Sequence, residues 1–207
     1  MTNNEELSNA LVDVRKAYRL LYLFQRRILD LVDQLSGKLE LKFWYWWPSG
    51  NELAIRAADD PCGRDAWKML PLFDARFFYL PRGVNVPDSP QKRQWFLGLL
   101  LSPDDGHSEG GRGEADPAKF ADPAQCRSRI YLYAFIVLNN VQGNWDTIYN
   151  AHKNSKWPKE GPAVDANDEV RVVCLSSDLA SLADASDVDS FAIRFRELVE
   201  KEGGEVV

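Results

Sequence analysis

The chain has 207 residues, a length that fits one domain. Apolar residues make up 45 % and charged residues 27 %, which excludes wholesale disorder and collagen-like structure. A chain this long can bury a core without disulfides or metal. The formal charge of −6 is unevenly spread. Residues 1–159 carry 21 basic and 19 acidic side chains, whereas residues 160–207 carry 4 and 12. An acidic end repels phosphate backbones and favours basic partners or plain solubility.

The apolar runs are shorter than a membrane span, so no transmembrane helix is expected. The first ten residues, MTNNEELSNA, hold no basic segment followed by an apolar one, and no secretory signal is expected. Cys62, Cys126 and Cys174 are odd in number and far apart. That usage points to free thiols in a reducing cytoplasm. Cys174 lies in an apolar run and reads as a small core residue. The two histidines, His107 and His152, have no zinc-ligand spacing and read as surface residues. No metal or cofactor is expected.

In chain order, the first element is a long helix within residues 1–37. Residues 5–36 contain neither Pro nor Gly, and Gly37 supplies a stop. Leu7, Leu11, Val14, Tyr18, Leu21, Gln25, Ile28, Val32 and Leu35 repeat at alternating spacings of four and three, a heptad seam with one polar break. About 32 residues extend about 48 Å, longer than a domain of this size is wide, so one end is expected to project. Packing across its own sheet and pairing with another chain through residues 5–36 are both open. Next, Leu39–Trp47 alternates as a strand. Strict alternation places Leu39, Leu41, Phe43, Tyr45 and Trp47 on one face and Glu40, Lys42, Trp44 and Trp46 on the other. Pro48–Asn51 is a turn, with residues 53–57 as a returning strand and residues 65–70 as a helical turn.

Phe73–Leu80, Trp95–Leu101, Arg129–Leu138 and Glu169–Leu175 read as strands, the third central and covered on both faces. Residues 102–128 form a long flexible loop, and residues 154–168 a linker. Trp145–His152 reads as a helix. Residues 186–203 form a C-terminal helix with Ser186 and Asp187 at its start and Gly203-Gly204 at its end. The predicted fold is one α+β domain, with a mostly antiparallel sheet of about five to seven strands, a long N-terminal helix and a C-terminal amphipathic helix. Leu21, Phe24, Ile28, Phe135, Phe191 and Phe195 are the predicted core.

Chemistry is sparsely marked. The run GGRG at 110–113 lacks the Lys-Ser/Thr of a phosphate loop. Glu40 and Lys42 with Asp74 form the residue types of a metal-dependent nuclease, but Glu-x-Lys is a common tripeptide and a cross-strand charge pair on a solvated face is the plainer explanation. Trp44 and Trp46 share a face with these charges, so either a helix covers the tryptophans and the charges sit at the strand's wet end, or two tryptophans are displayed toward water. Displayed Trp and Arg are the residues that binding hot spots use. Arg56 and Arg76 would assist at such a surface, and with Lys42 they suit base stacking as well. The expected function is therefore a non-enzymatic protein-binding or accessory protein, such as an assembly subunit or a bacterial immunity-type inhibitor. A nucleic-acid-binding or nuclease-like protein is the alternative.

Overall fold

The structure is a computed structural model that describes residues 3–48, 75–106, 120–139, 141–152, 158–159, 161–164 and 169–205. The expected strand at 53–57, the helical turn at 65–70, and the loop segment 107–119 lie outside these residues. Among the described residues, six strands form one antiparallel sheet with helices on both faces, an α+β architecture. The elements are α1 (Asn3–Lys38), β1 (Leu41–Pro48), β2 (Ala75–Pro81), β3 (Trp95–Ser102), β4 (Arg129–Val137), α2 (Trp145–His152), β5 (Gly161–Val164), β6 (Val170–Asp178) and α3 (Ala185–Lys201). The spatial order is β1-β2-β3-β4-β6-β5. Among the described residues, no helix is long and apolar enough to cross a membrane.

β4 is interior to the sheet, as its doubly apolar sequence predicts. Ile130, Leu132, Ala134 and Ile136 face one core layer, while Tyr133, Phe135 and Val137 face the other. The first layer is closed by α1 and α3. From α3 it receives Val188, Phe191, Ala192, Phe195 and Val199, a stripe at helical spacing. Burying one such Phe stabilises the fold by about 1.5–3 kcal/mol. The second layer is closed by α2, through Trp145 and Ile148.

α3 is capped two residues earlier than Ser186, the first of the two expected cap residues. Asp184 is the N-cap, its carboxylate accepts from the Ser186 and Asp187 amides, and Asp187 reaches back to complete a capping box. The supposed linker at 154–168 contains β5, which pairs with β6 from Gly161↔Cys174 to Val164↔Arg171. A proline within a four-residue strand is tolerated at a sheet edge, so propensity alone reads this segment as loop. His152 is buried at 7 % exposure, not a surface residue, because it sits one turn after Ile148 on the face that α2 turns to the sheet. Cys174 is buried in the second layer, as read.

The two ends of the 102–128 loop are pinned together. The Asp105 amide donates to the Arg127 carbonyl, the Ala121 amide to the Gly106 carbonyl, and the Ser128 hydroxyl to the Pro103 carbonyl. Cys126 presses so closely on Gly106 that a Cβ there would collide with its Sγ.

α1 divides into two halves. Ile28, Leu31, Val32 and Leu35 are at most 3 % exposed and belong to the first core layer. Residues 5–20, by contrast, are all exposed. The projecting end expected from length is the N-terminal one. Leu21 and Phe24, expected in the core, are only half-buried, because the helix leaves the body at that level. The inner half is tied down by polar contacts as well. The Arg27 guanidinium donates to the Leu182 and Ala183 carbonyls at 2.9 and 2.8 Å. Arg196 of α3 donates to the Lys38 carbonyl at 2.6 Å, satisfying one of the open carbonyls at the helix end. Lys38 pairs with Asp189.

Candidate binding groove beside an aromatic edge strand

The turn from α1 into β1 sets the geometry. The Leu39 amide donates to the Leu35 carbonyl, and the Glu40 amide to the Gly37 carbonyl. Glu40 has φ 56°, so the left-handed residue of the turn is Glu40 and not Gly37. Glu40 thus stands exposed before the strand begins, and strand alternation does not align it with Lys42.

β1 has one neighbour, β2, among the described residues. The pairing runs Leu41↔Pro81, Lys42↔Leu80, Phe43↔Tyr79, then Tyr45↔Phe78 and Trp46↔Phe77. Trp44 is therefore the extra residue of a β-bulge. A bulge shifts the side-chain period by one. Trp44 and Tyr45 both turn to the α2 face, and Trp46 turns to the α1 face. The expected shared surface of Trp44 and Trp46 does not exist, and Tyr45 leaves the face that alternation assigned to it.

On the α2 face, Trp44 meets Phe96, Tyr149 and Phe78 edge-on, with ring centroids 5.7, 5.9 and 6.5 Å away. Lys42 is exposed, and half-buried Arg76 lies near Tyr133 and Tyr149. Burial, then the charge and hydrogen bond of Tyr45, pushes the Tyr149 hydroxyl up to about 12. Burial first, and then Cys174, pushes Tyr133 up as well. Arg56 and Asp74 lie outside the described residues. The set Glu40, Lys42 and Asp74 thus gains no geometric support from the described part of the chain.

On the α1 face, a groove of about 780 Å³ runs between the inner half of α1 and strands β1 and β2. Phe77, Tyr79, Val32 and Leu41 line it deep down, and Leu29, Gln25, Asp33 and Arg82 stand around it. At the rim, Phe43 is 53 % exposed and sits edge-on to Tyr79 at 5.7 Å. Trp46 is 37 % exposed and stacks on Phe77 at 6.2 Å. A polar corner closes the groove near the α1 end. The Ser36 hydroxyl donates to the Asp33 carbonyl and also pairs with the Tyr79 hydroxyl. Burial, opposed by the Ser36 hydrogen bond and aided by the Asp33 charge, pushes Tyr79 up to about 12. Tyr79 is therefore a neutral hydrogen-bonding group at physiological pH. Apolar walls with a few convergent polar groups are the usual composition of a binding cleft.

Sequence reasoning named Trp46 as a recognition residue but on the face opposite Phe43, and it missed Phe43, Tyr79, Gln25 and Leu29 as groove residues. Phe43 was assigned to the core because alternation cannot tell a covered strand face from one that a helix only partly covers. Among the described residues, the group of three side chains close enough for a metal is Asp104, Asp105 and Cys126. Its members are already committed. Asp104 accepts from the Gly106 amide at 2.9 Å, Asp105 from the Arg127 amide at 2.6 Å, and the Cys126 thiol donates to the Asp122 carbonyl. Partial burial first, then the hydrogen bond to Asp104 and the nearby carboxylates, pushes the Cys126 thiol up. The group reads as a loop staple.

The fold is that of an α+β protein with an open groove beside its aromatic edge strand. The sequence pattern of the PM0109 family matches residues 4–204, and the chain belongs to that family. It is 33 % identical over 89 residues to the uncharacterized protein PM0109 of Pasteurella multocida (strain Pm70). That match spans 42 % of this chain and 42 % of the relative's length. No solved structure matches the chain.

Proposed function

We propose that this chain is a protein-binding accessory factor that works through the outer seam of α1 and the groove into which the seam runs. One observation carries the reading. Leu7, Leu11, Val14 and Tyr18 are 59, 47, 46 and 72 % exposed, on one helical seam. A contiguous apolar row of this kind is rarely kept on a soluble protein without a use. It is continuous with Gln25 and Leu29 at the groove, where Phe43 and Trp46 add the aromatic surface that protein interfaces favour. In this reading the factor acts in the cytoplasm, as an assembly subunit or an inhibitor-type partner. Trp44 and Arg76 lie on the opposite face, and in this reading they and exposed Lys42 take no part in contact.

The test is a photo-crosslinking side chain placed at position 11 or 43 in the source cell, with position 201 on exposed α3 as control. Covalent adducts with a polypeptide are expected from 11 and 43 at a level well above 201. Adducts with nucleic acid, or a yield at 11 and 43 no higher than at 201, would overturn the reading.

A further inference from the structure

We infer that the outer half of α1 pairs antiparallel with the same segment of a second copy of this chain, Leu11 of each helix packing on Leu21 of the other. This rests on the protein-binding reading above and names the partner. The first argument is register. Along the heptad, Leu11, Tyr18 and Gln25 occupy one seam position, and Leu7, Val14 and Leu21 the other. An antiparallel pair whose residue numbers sum to 32 sets 7 against 25, 11 against 21 and 14 against 18. Every layer then joins one position of each kind, and bulky Tyr18 meets small Val14, the alternation that a packed seam needs.

The second argument is charge. Residues 3–14 carry Glu5, Glu6 and Asp13, whereas residues 15–27 carry Arg15, Lys16, Arg19, Arg26 and Arg27. In this antiparallel register Glu5, Glu6 and Asp13 come level with Arg27, Arg26 and Arg19 of the other helix, and only Arg15 and Lys16, at the centre, meet their like. Parallel pairing sets like against like, which is unfavourable. The third argument is space. At 1.5 Å per residue the two Ile28 positions, where each helix is buried in its own body, fall about 36 Å apart along the axis, so the bodies sit at opposite ends of the pair. The start of each α1 then reaches Gln25 and Leu29 at the mouth of the other chain's groove. Finally, a half-helix of this length without tertiary contacts is marginal in water, and a partner helix supplies the missing packing.

Sedimentation equilibrium of the full-length chain is the test. The expected result is a reversible species of twice the 23.5 kDa chain mass. Leu11→Asp is expected to raise its dissociation constant by at least about tenfold while leaving the folded body intact. The double variant Glu5→Lys/Glu6→Lys, and separately Arg26→Glu, each weaken self-association, and mixing them restores it. A parallel pair would keep like charges together in either variant alone and show no weakening, which would overturn the arrangement even if Leu11→Asp failed to fold. A one-chain mass at every concentration overturns the inference outright. If the crosslinks from position 11 then identify a different polypeptide, the protein-binding reading stands and only the self-pairing fails; if they identify none, both fall.

Discussion

The two halves of α1 carry the same apolar repeat and meet opposite surroundings. Leu35, in the inner half, is fully buried against the first core layer. Leu11, on the same seam, is 47 % exposed and belongs to neither core layer. The inner half is further held by Arg27, Arg196 and the Lys38–Asp189 pair, all contacts to the α3 region. The lesson is that a heptad seam states which face of a helix is apolar and leaves open what covers it. Here one half of the seam builds the fold and the other half is available for association.

The largest effect that tests this contrast is on stability. Leu35→Ala is expected to lower the unfolding free energy by about 2–5 kcal/mol, the cost of a core cavity. Leu11→Ala, measured at concentrations where the chain is monomeric, should stay within about 0.5 kcal/mol of the parent. Equal losses in denaturant titrations would mean that the outer seam is core after all.

A middle-sized effect comes from the two tryptophans that the bulge separates. Trp44→Ala removes a ring lodged among Phe78, Phe96 and Tyr149, and should cost about 3 kcal/mol. Trp46→Ala removes a rim residue and should cost about 1 kcal/mol, while lowering photo-crosslinking from position 43. The reverse ranking would return Trp44 to the surface and break the distinction between the two faces.

The smallest effect is alkaline and reports on the corner where β2 meets the inner half of α1. Tyr79 ionises near 12 in the folded protein and near 10 when unfolded. Its raised value means that its contribution is fully present below pH 10 and is lost as pH climbs toward 12. Tyr79→Phe should therefore flatten the fall of stability across that window. The remaining slope belongs to buried groups such as Tyr149, whose hydroxyl is also pushed up to about 12. An unchanged slope would show that Tyr79 does not titrate against Ser36 and Asp33.

Much of the fold was legible in the residues themselves. The apolar spacing of α1, interrupted at Gln25, the doubly apolar run Arg129–Val137 and the stripe Val188, Phe191, Phe195 and Val199 each determine an element, because backbone geometry converts periodicity directly into an apolar face. The same arithmetic implied that α1 outruns its domain. Other features required the tertiary structure. The bulge at Trp44 exists because β1 must match β2, and one added residue reverses every later side chain without changing the local composition. β5 is a strand only because β6 offers it an edge, and His152 is buried only because α2 lies on the sheet. The groove, with Phe43 and Trp46 at its rim, arises where α1 covers part of a strand face and leaves the rest open. Periodicity identifies apolar faces one element at a time, whereas coverage depends on elements distant in the chain, and that long-range packing decided which apolar residues became core and which became a surface for binding.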